Sequence, residues 1–420
     1  MTRMSRFLLS CLSAASFAAA IDLTTSDETS IKQAAAEIAN GLFQYHNATA
    51  TTGGFNQPQP WFWWLSGNGW NGLLDYTVYT GDTTYQADFL TAMAGNIGEN
   101  RDFVPASQYG WEANDDQAYW VYNALTALEY DFEPLPCDGA AADGTCLNSW
   151  LAISTNAFEL FAGRWAADAE TCNGGLKWQY RTTEAGYYYK NAVTNGGFFQ
   201  TAARLARYTG NQTFADWAVK IWDWSSGVGL VGPQYNVYDG AGDQDGANCT
   251  GMSPDQWSYN IATYLHGAAH MYALGERQGS NESQALWESR VQGLVGTAKS
   301  TFFGPTADAP DVMYEQKCEP AKACGTDQTS FKSSLSRWLG KAAVLVPSVS
   351  DTVMELLAAS AGGAAASCTG YDNSTCGSQW YTSFNDQADF GTQLSALEVV
   401  QSLLVKSAPA LSVANTTATT

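Results

Sequence analysis

Apolar side chains recur at helical spacing along most of the chain, and this pattern constrains the fold more than any other feature. Near the amino end, Ile31, Ala35, Ile38 and Leu42 lie on one face of a helix that Ser26 can cap. The same period recurs in residues 151–165, 198–208, 213–224, 261–274, 284–302 and 331–346. Helix follows helix, so the sequence predicts an all-α protein in which each apolar face packs on a neighbouring helix.

A weak internal repeat indicates how these helices are connected. Tyr-Thr-Gly-Asp at 79–82 and Tyr-Thr-Gly-Asn at 208–211 each end one helical stretch and open the next, and 273–276 resembles a degraded third copy. The Gly suits a helix C-cap, and the Asp or Asn suits a turn or N-cap. Repeated helical hairpins predict a solenoid or a closed ring, and a closed toroid accounts for one compact domain.

The two ends of the chain differ from the middle. Arg3 and Arg6 precede an apolar run at 7–12 and small residues at 18–20, which predicts a secretory signal peptide over residues 1–20. We find no linker between residues 21 and 405, so we expect this range to be a single catalytic domain. Residues 406–420 are rich in Ser, Ala and Thr and are predicted to be a disordered tail.

The charge balance excludes several classes of partner. The chain has 20 Lys and Arg against 41 Asp and Glu, a formal net charge of −21. Such a protein repels nucleic acid and anionic membrane surfaces, so we expect neither as a partner. Nothing in the sequence indicates a stable protein partner. The export signal and the acidity together predict a secreted protein.

The cysteines beyond the signal segment are even in number, which in an exported protein is typical of disulfides. They are Cys137, Cys146, Cys172, Cys249, Cys318, Cys324, Cys368 and Cys376. Three pairs are close in sequence, so we predict 137–146, 318–324 and 368–376, which leaves 172–249. Zinc is the alternative, but the chain has no paired C-x-x-C motif to support it.

Sequons for N-glycosylation fit passage through a eukaryotic secretory route. They begin at Asn47, Asn211, Asn248, Asn281, Asn373 and Asn415.

Two consecutive acids open one of the helices and are the candidate catalytic residues. Asp115 and Asp116 follow Asn114 and precede Gln117 at the start of an apolar helical stripe. One interpretation is helix capping, with Asn114 as N-cap, Gln117 at the reciprocal position and the acids complementing the helix dipole. The other is glycosidic cleavage, which needs one carboxyl as acid and another as nucleophile or base. Consecutive residues at a helix start hold their carboxyls close together, a geometry that favours retention of configuration.

Aromatic and amide side chains are clustered in a way that suits sugars. Trp61, Phe62, Trp63, Trp64 and Trp70 are interleaved with asparagines, and a second group lies at 178–191. Aromatic rings stack on sugar C–H faces and amides bond to hydroxyls, although much of this content also belongs in an ordinary core.

We expect no metal and no cofactor. Asp239, Asp243 and Asp245 lie in a Gly-rich loop that has the ligand type for calcium, but no acid closes an EF-hand loop. His266 and His270 are four residues apart on a helix, yet Gly267 occupies the position where a zinc protease has Glu.

Taken together, these motifs resemble glycoside hydrolase family 76, the α-1,6-mannanases, and in particular its fungal cell-wall branch. The resemblance runs from about Ala34 to Leu404. It rests on Trp63-Trp64, Asn114-Asp115-Asp116-Gln117 with Tyr119-Trp120, residues 190–199 and 237–240, and the segments 256–260 and 327–332.

The resemblance implies an (α/α)6 toroid and a retaining mechanism. Asp115 would be the nucleophile and Asp116 the general acid/base. The substrate-binding residues implied by motif position are Trp63, Trp64, Asn195, Asp239, Tyr259, Asn260 and Lys332.

The resemblance also implies a mannose-containing substrate and a location in the cell wall. Bacterial relatives hydrolyse α-1,6-mannan, and fungal relatives transfer the glycan of glycosylphosphatidylinositol (GPI) anchors to wall β-glucan as acceptor. Fungal members often end in a hydrophobic GPI-attachment tail, a pattern that residues 406–420 do not show. Two alternatives stay open: a non-catalytic wall lectin that binds mannan, and a helical-toroid enzyme for another polysaccharide.

Overall fold

The computed structural model describes residues 20–47, 53–55, 62–142, 144–244, 246–371 and 374–414. The α-helices within these ranges are α1 (Glu28–Phe43), α2 (Trp63–Thr80), α3 (Gln86–Asn96), α4 (Asn114–Glu129), α5 (Trp150–Ala167), α6 (Ala192–Thr209), α7 (Gln212–Gly227), α8 (Ser258–Arg277), α9 (Asn281–Phe302), α10 (Phe331–Leu345), α11 (Ser350–Ser367) and α12 (Phe390–Gln401). Strands β1 (Tyr189–Asn191) and β2 (Gly240–Gly242) pair antiparallel, with Lys190 opposite Ala241. Short 3-10 segments lie at Gln328–Ser330, Pro347–Val349 and Ser402–Ser407.

The even-numbered helices form an inner ring and the odd-numbered helices an outer ring. Nearly all residues of α2, α6, α10 and α12 are buried, whereas α1 buries one stripe that includes the predicted Ile31, Ala35, Ile38 and Leu42. Each inner helix packs on the next inner helix in sequence, and α12 packs on α2. The ring is therefore closed, and the predicted all-α (α/α)6 toroid is confirmed.

Helix ends follow the predicted turn chemistry at two of three sites. Gly81 and Gly210 end α2 and α6 in the left-handed region, with φ of 79° and 73°. The third copy is wrong, because α8 continues through Gly275, where an added Cβ would lie 2.9 Å from the backbone nitrogen of Gln284 on α9. This glycine therefore allows a close helix approach. The predicted cap Ser26 is also wrong by one residue, since Asp27 accepts the N–H of Thr29 at 2.9 Å.

The four predicted disulfides are confirmed as 137–146, 172–249, 318–324 and 368–376. Three of these bonds, 137–146, 318–324 and 368–376, each form a short loop. The Cys172–Cys249 bond has a sequence separation of 77 residues and ties the segment after α5 to the segment after β2. A long closed loop removes most freedom from the unfolded chain, so this bond is expected to stabilise most.

The interior of the inner ring holds buried ion pairs. Arg204 lies 2.7 Å from Glu129, and Lys341 lies 2.9 Å from Asp75. Arg337 contacts both Asp75 and Glu398. A buried charge is costly unless it is paired, and here the cations and carboxylates come from different inner helices. The ion pairs therefore fix the helices in register with each other.

The carboxyl end of the described chain is bonded to the toroid. The backbone N–H groups of Ser412 and Ala414 donate to the carbonyls of Glu129 and Tyr208 at 2.7 and 2.8 Å. The predicted disordered tail is therefore corrected for residues 406–414, while 415–420 lie outside the described residues. The signal peptide also falls outside them, apart from Ala20.

The sequon asparagines are distributed over the surface. Asn211, Asn248 and Asn281 are exposed, and Asn47 is half-buried. Asn373 and Asn415 lie outside the described residues, and glycosylation at all six stays a prediction. Among the described helices, none combines the length and the apolar character needed to span a bilayer.

Candidate active site

The amino ends of several inner helices meet around one open cavity of about 410 Å³. Its aromatic walls are Phe62, Trp64, Trp111, Tyr119, Trp178, Tyr189, Trp257, Tyr259 and Phe331, and its polar side chains are Gln179, Asn191, Gln328, Asp115, Asp116, Asp239 and Asp327. These residues belong to the starts of α2, α4, α8 and α10, to strand β1 and to adjoining loops. The cavity thus combines stacking surfaces with hydrogen-bonding groups, as a sugar site requires.

Asp115 and Asp116 lie in the first turn of α4 and both line this cavity. The Asp115 Oδ1 accepts the N–H of Asp116 at 3.1 Å, and the Asp116 Oδ2 accepts the N–H of Ala113 at 2.6 Å. The acids therefore satisfy backbone donors at the helix start and also face the cavity. A capping role and a catalytic role are therefore compatible for Asp115 and Asp116.

The predicted capping residues have other partners. Asn114 donates to the Lys177 carbonyl at 2.8 Å, and Gln117 donates to the Asp102 carbonyl at 2.6 Å. Arg164 donates to both amide oxygens. Asn114 is therefore not the N-cap, and Gln117 does not take part in a capping box. Instead, both side chains hold neighbouring loops against α4.

The two acids have different proton affinities. Burial raises the pKa of Asp115 to about 7, and the charge of Asp327 adds to the effect. Burial and the adjacent Asp115 charge raise the pKa of Asp116 further above its ordinary value. Two neighbouring carboxyls resist double ionisation, so the pair retains one proton. This proton resides on Asp116, the carboxyl with the higher pKa.

Two further carboxyls face the same cavity. Asp239 is fixed by the Tyr189 hydroxyl at 2.7 Å and the Asn260 amide at 3.2 Å. Asp327 precedes the 3-10 segment before α10, and burial raises its pKa to about 6. Within the described structure the Oδ1 of Asp327 is buried and has no hydrogen-bond partner.

Three of the predicted substrate-binding residues line the cavity: Trp64, Asp239 and Tyr259. The Tyr259 ring stacks on Phe331 with centroids 3.8 Å apart, so its face toward that ring is covered. Trp64 packs against Tyr119 with centroids 4.6 Å apart. A substrate-binding role for these three residues stays a prediction, now with a suitable location.

The other four predicted residues do not line it. Trp63 is buried against Trp120, Asn195 bonds to the backbone of Leu176, and Asn260 acts through Asp239. Lys332 is buried, lies 2.7 Å from Glu319 and donates to the Ser378 carbonyl. Their contacts support the walls of this cavity, and Trp63 also lines a neighbouring space. A substrate-binding role for these four residues stays a prediction.

Asp243 of the Gly-rich loop is paired with lysine side chains and is not a free ligand for calcium. Asp243 lies 3.0 Å from Lys177 and 4.0 Å from Lys190, and Lys190 also donates to three backbone carbonyls. The ammonium groups of Lys177 and Lys190 therefore lie beside Asp243, where a calcium ion would otherwise bind. Asp245 lies outside the described residues, and among those described no group of His, Cys, Asp and Glu has the arrangement of a metal site.

His266 and His270 belong to the interior of the ring. The Arg207 guanidinium donates to His270 Nδ1 at 3.2 Å, and the two imidazoles bond to each other at 3.0 Å. His266 Nδ1 contacts Gln200 at 2.8 Å. Burial lowers the pKa of both imidazoles well below the usual value, so both are neutral packing residues.

Comparison with known proteins places this cavity in a family. Residues 30–415 match the family model described as Glycosyl hydrolase family 76. Mannan endo-1,6-alpha-mannosidase DCW1 of Candida albicans is 38% identical, and the match covers 96% of this chain and 86% of that protein. The chain thus spans most of the length of this relative.

Solved structures share the toroid. The crystal structure of Dfg5 from Chaetomium thermophilum in complex with glucosamine has a TM-score of 0.82 at 31% identity, and the match covers 93% of this chain and 94% of that chain. An inactive variant of the α-1,6-mannanase GH76A of Salegentibacter sp. HEL1_6, in complex with α-1,6-mannotetrose, has a TM-score of 0.68 at 16% identity over 89% of this chain and 98% of that chain. The second likeness shows the fold alone. By its sequence over nearly the whole toroid, this chain belongs to glycosyl hydrolase family 76.

Proposed function

We propose that this protein is a retaining glycosidase that acts on α-1,6-linked mannose glycans, with Asp115 as nucleophile and Asp116 as general acid/base. The observation that carries the proposal is the adjacent carboxyl pair in the lining of an aromatic cavity. The relative from Candida albicans has the name of a mannan endo-1,6-alpha-mannosidase, which supports the substrate class.

The roles follow from the two proton affinities. Asp115 has the lower pKa of the two and is the first to become a carboxylate. Its oxygen forms a bond to the anomeric carbon while the glycosidic C–O bond breaks, and Asp116 gives its proton to the leaving oxygen. In the second step a water or sugar hydroxyl gives a proton to Asp116 and attacks the anomeric carbon, which releases Asp115.

Two single variants test the assignment. Asp115→Asn and Asp116→Asn are each expected to lower the rate on α-1,6-mannotetraose by about a thousandfold or more, because each removes an essential group. Asp223→Asn is the matched control, since Asp223 is an exposed carboxylate outside the cavity. Full activity in Asp115→Asn would remove this assignment, as would an initial product with inverted anomeric configuration by NMR.

Transfer to another sugar is a second candidate, favoured by a neighbouring cavity. This space of about 430 Å³ is lined by Phe62, Trp63, Ser107, Gln108, Trp111, Glu112 and Asp116. Because Asp116 lines both cavities, the second lies on the acid/base side, where a leaving group departs and an acceptor enters. The GPI-anchor glycan as donor and wall β-glucan as acceptor are the proposed pair, and the glucosamine bound by the Chaetomium relative is a component of such a donor.

Product analysis separates these outcomes from a lectin. Incubation with a GPI-core glycan and a β-1,3-glucan oligosaccharide, followed by mass spectrometry, is expected to give a new glycan whose mass is that of donor plus acceptor minus the part of the donor released as leaving group. Free reducing glycan alone would indicate hydrolysis, and binding without a product would indicate the non-catalytic alternative. The disulfides support a secreted location, because such bonds persist in oxidising compartments.

A further inference from the structure

An arginine of the outer ring is bonded to the turn that carries Asp115 and Asp116. Arg164 lies in the last turn of α5, and its Nη1 donates to the Asn114 Oδ1 at 2.5 Å and to the Gln117 Oε1 at 2.7 Å. These two amides flank the acids in the sequence. One guanidinium nitrogen therefore holds both sides of the turn that carries the candidate catalytic pair.

Arg164 is also linked to a third carboxyl group. Its guanidinium carbon lies 3.9 Å from the centroid of the Tyr180 ring, and the Tyr180 hydroxyl donates to the Glu112 Oε1 at 2.8 Å. The Arg181 guanidinium donates to the Glu112 carbonyl at 2.9 Å, and Glu112 is buried. Glu112 lines the neighbouring cavity of about 430 Å³ together with Asp116. These contacts therefore fix a carboxyl group in a cavity that the proposed acid/base also lines.

Three carboxyls act on the proton of Asp116. Burial raises the pKa of Asp116, and the charges of Asp115, Glu112 and Asp327 raise it further. Asp115 belongs to the same helix, Glu112 to the segment before it, and Asp327 to the segment before α10. A charged Glu112 therefore helps Asp116 to keep the proton that a general acid must donate.

The charge of Glu112 depends in turn on its neighbours. Burial raises the pKa of Glu112 to about 7, and the charge of Asp102 acts in the same direction. The hydrogen bond from Tyr180 and the charges of Arg164 and Arg181 lower this pKa. Removal of Arg164 therefore keeps Glu112 neutral over a wider pH range and weakens its effect on the acid/base.

We propose that Arg164 is a positioning residue for the catalytic pair, which fixes the turn that carries both acids and, through Tyr180, the carboxyl of Glu112. This inference rests on the proposed function and adds a residue that lines neither of the two cavities. Arg164 therefore acts through other side chains and does not bind the substrate. A displacement of a catalytic group by about 1 Å costs about a hundredfold in rate, so loss of such a contact has a measurable effect on turnover.

Steady-state kinetics on α-1,6-mannotetraose is the first test. Arg164→Met removes the donors and the charge and is expected to lower kcat by about ten- to a hundredfold, with KM within about threefold of the wild type. Arg164→Lys offers three donors on one nitrogen but has no plane to stack on the ring, so a loss of about three- to tenfold is expected. Arg290→Met is the matched control, because Arg290 is an outer-ring arginine that also stacks on aromatic rings and lines neither of these cavities. This control is expected to keep the wild-type kcat.

A carboxyl NMR titration gives a second readout that does not need turnover. Arg164→Met is expected to raise the pKa of Glu112 above about 7, because a cation that favours its charged form is lost. Glu112→Gln keeps an acceptor for the Tyr180 hydroxyl, removes the charge and is expected to lower the pKa of Asp116. The basic limb of the pH–rate profile should move to lower pH in the same variant, because the acid/base loses its proton earlier.

Each outcome decides the inference. A wild-type kcat in folded Arg164→Met overturns it, and so does an equal loss of kcat in Arg290→Met. If Arg164→Met does not fold, Arg164→Lys takes its place, and a wild-type kcat in that variant overturns the inference. An unchanged pKa of Asp116 in Glu112→Gln also overturns it. A wild type that does not cleave α-1,6-mannotetraose refutes the proposed function, and the NMR titration then decides the link between Arg164 and the acids by itself.

Discussion

Replacement of Asp115 by Asn is expected to stabilise the folded protein at neutral pH while it stops turnover. Burial, with a contribution from Asp327, raises the pKa of Asp115 from 3.8 to about 7, so the folded state disfavours this carboxylate relative to the unfolded chain. A rise in pKa of this size corresponds to about 4 kcal/mol. Part of the side chain faces the open cavity, where water screens the charge, so we expect a gain of about 1–2 kcal/mol.

The direction of the pH dependence follows from the raised pKa. Below the ordinary pKa of 3.8 the carboxyl is neutral in both the folded and unfolded chain, so Asn and Asp should be equally stable. As the pH rises through about 7, the wild type loses the stabilisation of the neutral form, and the advantage of Asn becomes complete.

Thermal unfolding by differential scanning fluorimetry across this pH range measures the effect. For a chain of this size, a gain of about 1–2 kcal/mol raises Tm by about 1–3 °C at neutral pH, with no change at the acid end. Asp223→Asn, at an exposed carboxylate, should change Tm at neither end. A lower Tm for Asp115→Asn at neutral pH, or an equal rise at both ends, would refute the assignment of a strained carboxylate to this position.

Three other perturbations have defined outcomes. Lys332→Met leaves a buried glutamate without its cation and is expected to lower the free energy of unfolding by about 3 kcal/mol in urea titration, so an unchanged midpoint would contradict the buried pair. Replacing Cys172 and Cys249 together by Ser should lower it by about 2–5 kcal/mol, measured in the same assay, and a wild-type midpoint would show that this bond adds no stability. Trp64→Phe removes the indole donor to Asp327 and should raise the pKa of that carboxyl above about 6 in an NMR titration; a lower value would refute the contact.

The architecture could be predicted from the sequence because it depends on periodic burial. The stripe Ile31, Ala35, Ile38 and Leu42 is buried as predicted, and Gly81 ends its helix in the left-handed region. Local patterns of this kind do not depend on distant residues. Details that depend on tertiary contact were wrong, such as the continuation of α8 through Gly275.

The site was predicted less completely, because neighbouring residues on a helix point in different directions. Trp63 and Trp64 are adjacent at the start of α2, yet Trp64 lines the cavity around Asp115, whereas Trp63 packs on Trp120 and lines only the neighbouring space. Successive side chains are about 100° apart around a helix. When a helical motif lies beside a cavity, some of its side chains therefore line the cavity and others pack against neighbouring elements. Phe331 and Lys332 show the same division at the start of α10.

Asp327 was missed although its segment was recognised. Residues 327–332 supported the family resemblance, and within them the motif position implied Lys332 as the substrate-binding residue. The usable signal was position: Asp327 precedes the amino end of an inner helix, as Asp115 and Asp116 lie at the amino end of another. Since the inner helices present these ends to one cavity, an acid at such an end is a better candidate than a basic residue within the helix.

The distribution of charge explains why stability and activity oppose each other in this toroid. In the interior of the ring, Arg204 and Lys341 neutralise Glu129 and Asp75, so buried charge there holds helices together. At the cavity a matching Lys or Arg would lower the raised pKa of Asp115 and Asp116 and remove the proton that the acid/base must donate. The same cation would stabilise the folded chain, because it would relieve the disfavoured carboxylates. Absence of a basic side chain from the described cavity lining is therefore a condition for the proposed chemistry, and a reduced folding stability is its consequence.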